Sequence, residues 1–461
     1  MDIAINKAVS HPDATARERW AWYLYDFGNS AYAAVVLLAV YSAYFEGQVV
    51  ITDRTMLGER LWGIFKVGPA LPTTLWGWAV GIAMLTVAVI SPVLGTIADF
   101  SGAKKRFLFF FTTQACLFTA LLFFVQRGDI LLGMLLFILA EIGYRSAQVF
   151  YNSLLPEIAV PEEMGRVSGT GWAIGSAGGV ICLLIVLVPI VTVDSTLVVR
   201  GSLVFTAFYF ALSTIPLFLW LRERAEPQPL PEGETYLTIA FKRLTSTFSA
   251  VKRFREFIKF VIAFLIYNDG ILMMLDFAAI LGAVLFGLSQ QDLIIFMIVV
   301  QITSVAGAYL FGFIVDRSSG KVALIIGLIL MMASVIWLFF EYSAFNFYVI
   351  GALAGFALTG VQSVSRSIVG AFAPSGQSAE FYGFFAVAGR TSSFIGPTIF
   401  GVLASWLANR YVNQGWAELA AKEMGHRVAL FSIIVFLIAG IIILLTVNEA
   451  DGRAASRGET A

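Results

Sequence analysis

Charge is scarce in this sequence: Asp, Glu, Lys and Arg together make up 13% of it, against 59% apolar residues, where soluble domains carry about 25% charged residues. A soluble fold of 461 residues could not bury that much apolar surface in its core. That excludes the two or three soluble domains the length alone would allow. Cysteine is almost absent; Cys116 and Cys182 both lie in apolar stretches, which excludes a disulfide framework and predicts reduced packing residues. Histidine is as rare, and His11 and His426 cannot assemble a histidine-based metal site, so neither metal nor cofactor is expected. The 30 basic and 30 acidic residues cancel, leaving no excess charge to attract nucleic acid. The first twenty residues lack the short apolar core and small-residue cleavage site of a signal peptide, and none is expected there.

Long apolar runs are what the sequence has in abundance. A helix crossing the hydrocarbon core needs about 20 mostly apolar residues. Such runs predict helices near 21–45, 75–98, 106–126, 130–153, 166–193 and 200–221. Six more follow near 257–285, 291–315, 321–341, 345–372, 380–408 and 426–447. The expectation is an all-α membrane protein of twelve transmembrane helices. Residues 1–221 form the first six-helix bundle, 222–256 a cytoplasmic linker, 257–447 the second bundle and 448–461 a disordered cytoplasmic tail. An even number of spans puts both termini on one side, and basic residues choose it. With the termini inside, 19 Lys and Arg fall in cytoplasmic segments, 8 in external ones and 3 within spans.

The linker opens with Pro227, Pro229 and Pro231. Beyond them Leu237, Phe241, Leu244, Phe248, Val251 and Phe254 recur at helical spacing, opposite Lys242, Arg243, Lys252 and Arg253. That pattern suits a helix lying on the inner membrane surface or one packed beneath the bundle. Residues 46–74 make a long external loop in which Trp62 and Phe65 can reach the interface.

The two halves echo each other. The first carries GTIADFSGAKK at 95–105 and the second GFIVDRSSGK at 312–321, each between its second and third helices. Gln148, Ser153, Ala159 and Gly169 return as Gln362, Ser367, Ala373 and Gly383, each 214 positions later. Parallel six-helix halves with substrate between them near the midplane are a known transporter layout.

Gly95, Asp99 and Gly102, followed by Lys104 and Lys105, resemble the loop motif of the major facilitator superfamily. The resemblance implies the major facilitator fold. It also implies that the aspartate meets a helix terminus in its own half, while the basic residues latch the cytoplasmic side. On this chain that gate would comprise Gly95, Asp99, Gly102, Lys104, Lys105, Asp316 and Arg317. Phe100 and Ala103 depart from the usual pattern, so the first latch is expected to be the weaker one; Arg317 restores the basic residue in the second. WAWYLYDFGNSAY at 20–32 resembles the vacuole-effluxer branch, autophagy-related vacuolar amino-acid exporters and their bacterial relatives. That resemblance implies export of neutral amino acids and, here, a multi-pass protein of the bacterial cytoplasmic membrane.

Seven ionisable residues fall within spans: Asp26, Glu141, Arg145, Asp269, Asp276, Arg366 and Arg390. Each costs about 2.5–3.5 kcal/mol at a helix centre, so all must face the bundle interior, a wet cavity or one another. Asp26, between Tyr25 and Asn29, either touches substrate or carries a proton, or else hydrogen-bonds neighbouring helices. Its expected counterpart is Asp269 in IYNDG, where Asn268, Asp269 and Gly270 disfavour a regular helix; interrupted helices at membrane depth line binding sites. Asp276 lies on the same face, continuing the pathway or standing near the outer mouth. Glu141 and Arg145 share a helix face, as a self-neutralising pair or with Arg145 meeting a substrate carboxylate or an acid across the cavity. Arg390 is a second candidate for that carboxylate, and Arg366, near the inner end of its helix, is placed with the cytoplasmic gate. A zwitterion needs one anionic and one cationic partner, and this set holds both. A proton carrier must be a buried carboxyl, which makes Asp26, Glu141 and Asp269 eligible.

In helix 5, GTGWAIGSAGG repeats glycine at 171, 175 and 179. No strand precedes it and no lysine follows, which rules out a nucleotide loop; close helix packing accounts for it. It partly resembles the superfamily's antiporter motif without the proline, and Gly396–Pro397 could bend helix 11 instead, so antiport stays open. No prenyl-type acidic motif, metal constellation or nucleophile–base pair points to an enzyme. The expected function is alternating-access transport of a small solute by a monomer in contact with membrane lipid, with neutral amino-acid efflux implied by the branch. A proton-coupled exporter of amphipathic drugs or lipids is the alternative, and a receptor or scaffold a remote one.

Overall fold

In the hydrocarbon core, water cannot satisfy backbone groups, so a spanning chain must close its own hydrogen bonds as helix or barrel. The structure, a computed structural model, describes residues 14–50, 71–193, 195–228, 233–239, 242, 254–288 and 290–459, and no described residue is in a strand. Trp62, Phe65 and most of the amphipathic linker stretch lie outside the described residues.

The first half comprises α1 (Ala16–Val49), α2 (Leu71–Ser101), α3 (Lys104–Leu121), α4 (Ile130–Ser153), α5 (Met164–Thr192) and α6 (Thr196–Trp220). The second comprises α7 (Arg255–Phe286), α8 (Gln290–Arg317), α9 (Gly320–Phe340), α10 (Ala344–Phe372), α11 (Ser378–Asn413) and α12 (Glu418–Leu445). Eleven of these are long and apolar enough to cross a membrane among the described residues; α11, with 36 residues, is the twelfth long helix.

The repeat seen in the sequence is a repeat of packing. In the first half α1 packs on α5 and α6, α2 on α4, and α3 on α4 and α6. The second half reproduces each pair: α7 on α11 and α12, α8 on α10, and α9 on α10 and α12. Across the seam α2 meets α11 and α5 meets α8, again as equivalents. A side chain at Gly95 would come within 2.4 Å of the Ala379 carbonyl, and one at Gly312 within 2.6 Å of the Gly165 carbonyl. Gly169 sits in the same seam, where a Cβ would stand 2.4 Å from the Ala308 carbonyl. Gly169→Ala is therefore expected to push α5 from α8 and to cost about 1–3 kcal/mol, as overpacking does. Thermal unfolding of the purified protein checks it, and an unchanged melting temperature would refute it. The outward faces are apolar, with Leu85, Val89, Phe110, Leu131, Val188, Phe208, Phe340 and Val435 all exposed, as lipid contact requires.

Two local expectations are corrected. Helix α7 runs unbroken through Asn268, Asp269 and Gly270. Its polar side chains find partners sideways on neighbouring helices, and Gly270 lets α12 approach through Leu437 and Ile433, so the backbone ladder survives. The irregular helix is α1, which turns π-helical over Ala33–Ala39 and again over Phe45–Val49; such segments gather at functional sites. The tail is not disordered: α13 (Glu449–Arg457) forms, capped by Asn448 at its start and ended by Gly458 with φ +77°. Nine residues are too few to hold a helix alone. This one docks, with Gly452 against Phe372 and the Ser456 hydroxyl donating to the Ala371 carbonyl at 3.2 Å.

Candidate functional site

Asp26 and Arg366 meet across the seam. Arg366 Nη1 lies 3.3 Å from Asp26 Oδ2, both side chains being buried. Helix α5 lets them meet, because it carries glycine where they pass: a Cβ at Gly175 would stand 3.0 Å from Asp26 Cγ, and one at Gly171 would strike Trp22 at 2.4 Å. Arg366 also donates through Nε to Ser168 Oγ at 2.9 Å, through Nη2 to the Ser168 carbonyl at 2.6 Å, and through Nη1 to Asn152 Oδ1 at 3.4 Å. Asp26 is thus partnered by Arg366, the residue placed with the cytoplasmic gate from the sequence. Asn29, one turn on, has a buried carbonyl oxygen without a partner among the described residues. Tyr25 turns into the first bundle, where its hydroxyl pairs with Thr112 Oγ1 at 2.7 Å and its ring stacks on Tyr151 at 4.7 Å.

Glu141 and Arg145 form the expected pair along α4, Nε to Oε1, at 2.6 Å. Glu141 is fully buried, while the Arg145 side chain keeps 26% of its surface accessible. The Arg145 guanidinium also lies 5.2 Å from the ring of Tyr144, which stacks at 4.3 Å on Tyr32 of α1. On the second half, Asn268 Oδ1 accepts from Gln362 Nε2 at 2.8 Å. Asp269 Oδ1 accepts from the Gly396 N–H at 2.9 Å, and its Oδ2 is buried without a partner among the described residues. The side chains of Asp276 and Arg390 lie outside the described residues.

The loop motif builds two equivalent latches on the face that carries the termini. Asp99 Oδ2 accepts from the Glu380 N–H at 2.8 Å, in the first turn of α11. Both oxygens of Asp316 accept from the Arg166 N–H, at 3.1 and 3.0 Å, in the first turn of α5. Each aspartate therefore caps a helix of the opposite half, not of its own. A carboxylate at a helix N-terminus gains about 0.3–1 kcal/mol when exposed and up to about 2 when partly buried. The same contact fastens the two halves together.

Lys104 makes the first latch the stronger one, reversing the expectation from Phe100 and Ala103. Its buried ammonium lies 3.2 Å from Asp99, 2.7 Å from Glu157 and 2.8 Å from Ser378 Oγ of the second half. Gly320 opens α9 where Lys104 opens α3, so the second latch has no equivalent of the Lys104 ammonium among the described residues. Arg317 does not fill the gap; it is exposed and stacks over Phe313 of its own helix at 4.1 Å. Lys105 donates to the Phe218 and Leu221 carbonyls at the end of α6, as Lys321 does to Leu445 and Val447 at the end of α12. Gly102, at φ +57°, makes the turn between α2 and α3 and lets the linker pass at Ala225 and Pro227, which a Cβ would obstruct.

Several residues in these clusters carried no signal on their own. Glu157, Glu223 and Glu449 read as ordinary loop carboxylates. Yet Glu223 accepts from the Lys104 and Lys105 N–H groups, and Glu449 from those of Gly320 and Lys321. Asn152 could have been found: it lies 214 positions before Arg366, at the offset of the repeat, and the two side chains touch.

Comparison with known proteins agrees with this architecture. A family model described as vacuole effluxer Atg22 like matches residues 75–457. An uncharacterized MFS-type transporter of Bacillus subtilis, YxiO, is 28% identical over 437 residues, covering 93% of this chain and 94% of that one. Autophagy-related protein 22 of Yarrowia lipolytica is 23% identical over 480 residues, covering 86% and 78%. Among solved structures, the human organic anion transporter MFSD10 (TETRAN) superposes with a TM-score of 0.68 at 14% identity, over 93% of this chain and 100% of the other. The chain belongs to the vacuole effluxer Atg22-like family and is a multi-pass membrane transporter of the major facilitator type, not an enzyme.

Proposed function

We propose that this transporter works by alternating access on a small zwitterionic solute and exports neutral amino acids. The Asp26–Arg366 pair carries the reading, because it is a buried charge pair shared between halves. In this layout the halves rock about a site near the midplane, so charges shared across the seam must exchange partners on every cycle. Asp26 suits the ammonium end of a zwitterion, and Arg145, a partly accessible planar fork beside Tyr144, which stacks on Tyr32 of the helix that carries Asp26, suits the carboxylate. The vacuole-effluxer relatives favour the outward direction. The surplus of Lys and Arg on the face that carries the termini favours that face being cytoplasmic.

Counterflow in proteoliposomes tests the substrate. Labelled leucine or tyrosine should accumulate in vesicles preloaded with the unlabelled amino acid, and only with protein present. If no amino acid moves while a lipophilic dye does, the amphipathic-exporter alternative replaces this reading.

Proton coupling would fall to Asp269. Asp26 and Glu141 each have an arginine partner, whereas Asp269 is held by one backbone N–H and has no cation among the described residues. Around its turn α12 offers Leu437 and Ile433, and α10 offers Gln362 to the adjacent Asn268. Asp269→Asn is expected to preserve counterflow and to abolish accumulation driven by a pH gradient. Undiminished accumulation would move the coupling elsewhere.

A further inference from the structure

The guanidinium of Arg366 sits in a cage that belongs entirely to the other half. It lies 4.8 Å from the ring of Trp22, 5.5 Å from that of Trp172 and 5.9 Å from that of Tyr151, with the Asp26 carboxylate at 3.3 Å. Its remaining hydrogen bonds go to Ser168 and Asn152, also of the first half. The second half holds only the Arg366 backbone, whose carbonyl accepts from the Tyr382 hydroxyl at 2.8 Å.

The cage does not need Arg366 to keep its shape. Trp22 and Tyr151 stack at 4.5 Å and 12°, Trp22 Nε1 donates to the Tyr151 carbonyl at 3.0 Å, and the Tyr151 hydroxyl donates back to the Trp22 carbonyl at 3.2 Å. Trp172 Nε1 is buried without a partner among the described residues, a donor left over at the edge of the cage. Aromatic faces around a carboxylate are a recognition surface for organic cations.

The geometry points to a cation subsite that Arg366 occupies as a tethered stand-in. When the halves part on this face, rigid-body rocking draws Arg366 away with α10. The box of Trp22, Trp172, Tyr151 and Asp26 stays with the first half and takes the ammonium group of the solute. When the face closes again, Arg366 re-enters and displaces that group, so binding on one side and release on the other follow from competition for one site. The subsite rests on the alternating-access reading and names the part of the solute it holds.

The test uses the full chain in lipid nanodiscs. Arg366→Ala is titrated calorimetrically with n-butylammonium and n-propylguanidinium, and with n-butanol and propylurea as neutral counterparts. Saturable binding of the cations alone is expected in Arg366→Ala, and weaker binding in the wild-type protein, where Arg366 competes for the cage. Binding should vanish when Asp26→Asn is added and weaken about tenfold when Trp172→Leu is added. Equal binding of neutral and charged probes, or binding that survives Asp26→Asn, would overturn the proposal. Should Arg366→Ala fail to fold, competition on the wild-type protein decides. Leucinamide should then inhibit leucine counterflow and N-acetyl-leucine should not, and the reverse would overturn the subsite. If cations bind Arg366→Ala but the wild-type protein transports no amino acid, the subsite stands and the amino-acid reading falls. If leucine is transported and cations do not bind, the opposite holds.

Discussion

Asp26→Asn is expected to reduce counterflow to the level of protein-free vesicles while the protein still inserts into the membrane. The substitution keeps the shape of the side chain and removes its charge. Arg366 then remains buried at 4% exposure with no carboxylate among the described residues to balance it. Removing one partner of a buried pair costs about 3–5 kcal/mol, because the other charge is left uncompensated. A lower melting temperature should accompany the loss of transport. Arg366→Gln should show the same two effects. The double variant should lose less stability than the two single losses added together, since neither charge is then stranded. Wild-type counterflow in Asp26→Asn would remove the pair from the transport cycle.

Lys104→Met should produce the other large effect, this time on the balance between conformations. Lys104 stands between Asp99 and Glu157, and both carboxylates are buried. Without the ammonium the two negative charges face each other in a dry corner, again a penalty of about 3–5 kcal/mol. The Ser378 contact across the seam is lost with it. Opening this face hydrates both carboxylates, so the variant should favour the open conformation. With Cys116 and Cys182 replaced by alanine, a cysteine introduced by Gln377→Cys at the start of α11 should react faster with a charged maleimide in Lys104→Met than in the parent. Lys104→Arg should restore slow labelling. Equal rates in all three would show that the latch does not govern closure.

The pseudo-symmetry explains why so much of the fold was legible. Twelve apolar runs, an even count, and one loop motif repeated at corresponding places follow from how backbone behaves in lipid, and lipid imposes that rule residue by residue. Helix caps are local in the same way, although no expectation above rested on them. Thr15 and Glu18 form a reciprocal capping box at the start of α1, and Ser319 accepts from Val322 N–H at the start of α9. Even the tail carried its signals, with Asn448 before α13 and Gly458 after it. Whether so short a helix forms depends on Phe372 and Ala371, which lie far away in the chain.

Partner choice was the part composition could not reach. That charges inside the membrane must pair is a matter of solvation, and Asp26, Glu141, Arg145 and Arg366 were visible on that ground alone. Only Glu141 and Arg145 could be matched from the sequence, because four residues along one helix fixes a shared face. Asp26 and Arg366 are 340 positions apart, and nothing local distinguishes Arg366 from Arg145 or Arg390 as the partner. The latches show the same limit: a loop motif marks Asp99 and Asp316, but which helix end each one caps depends on how two rigid bundles are set against each other. The sequence by itself determined what must be sheltered from lipid and where the chain crosses it, since burial costs attach to single residues. Tertiary structure alone decided which half supplies each shelter, because that depends on the distance between atoms that meet only when the halves close.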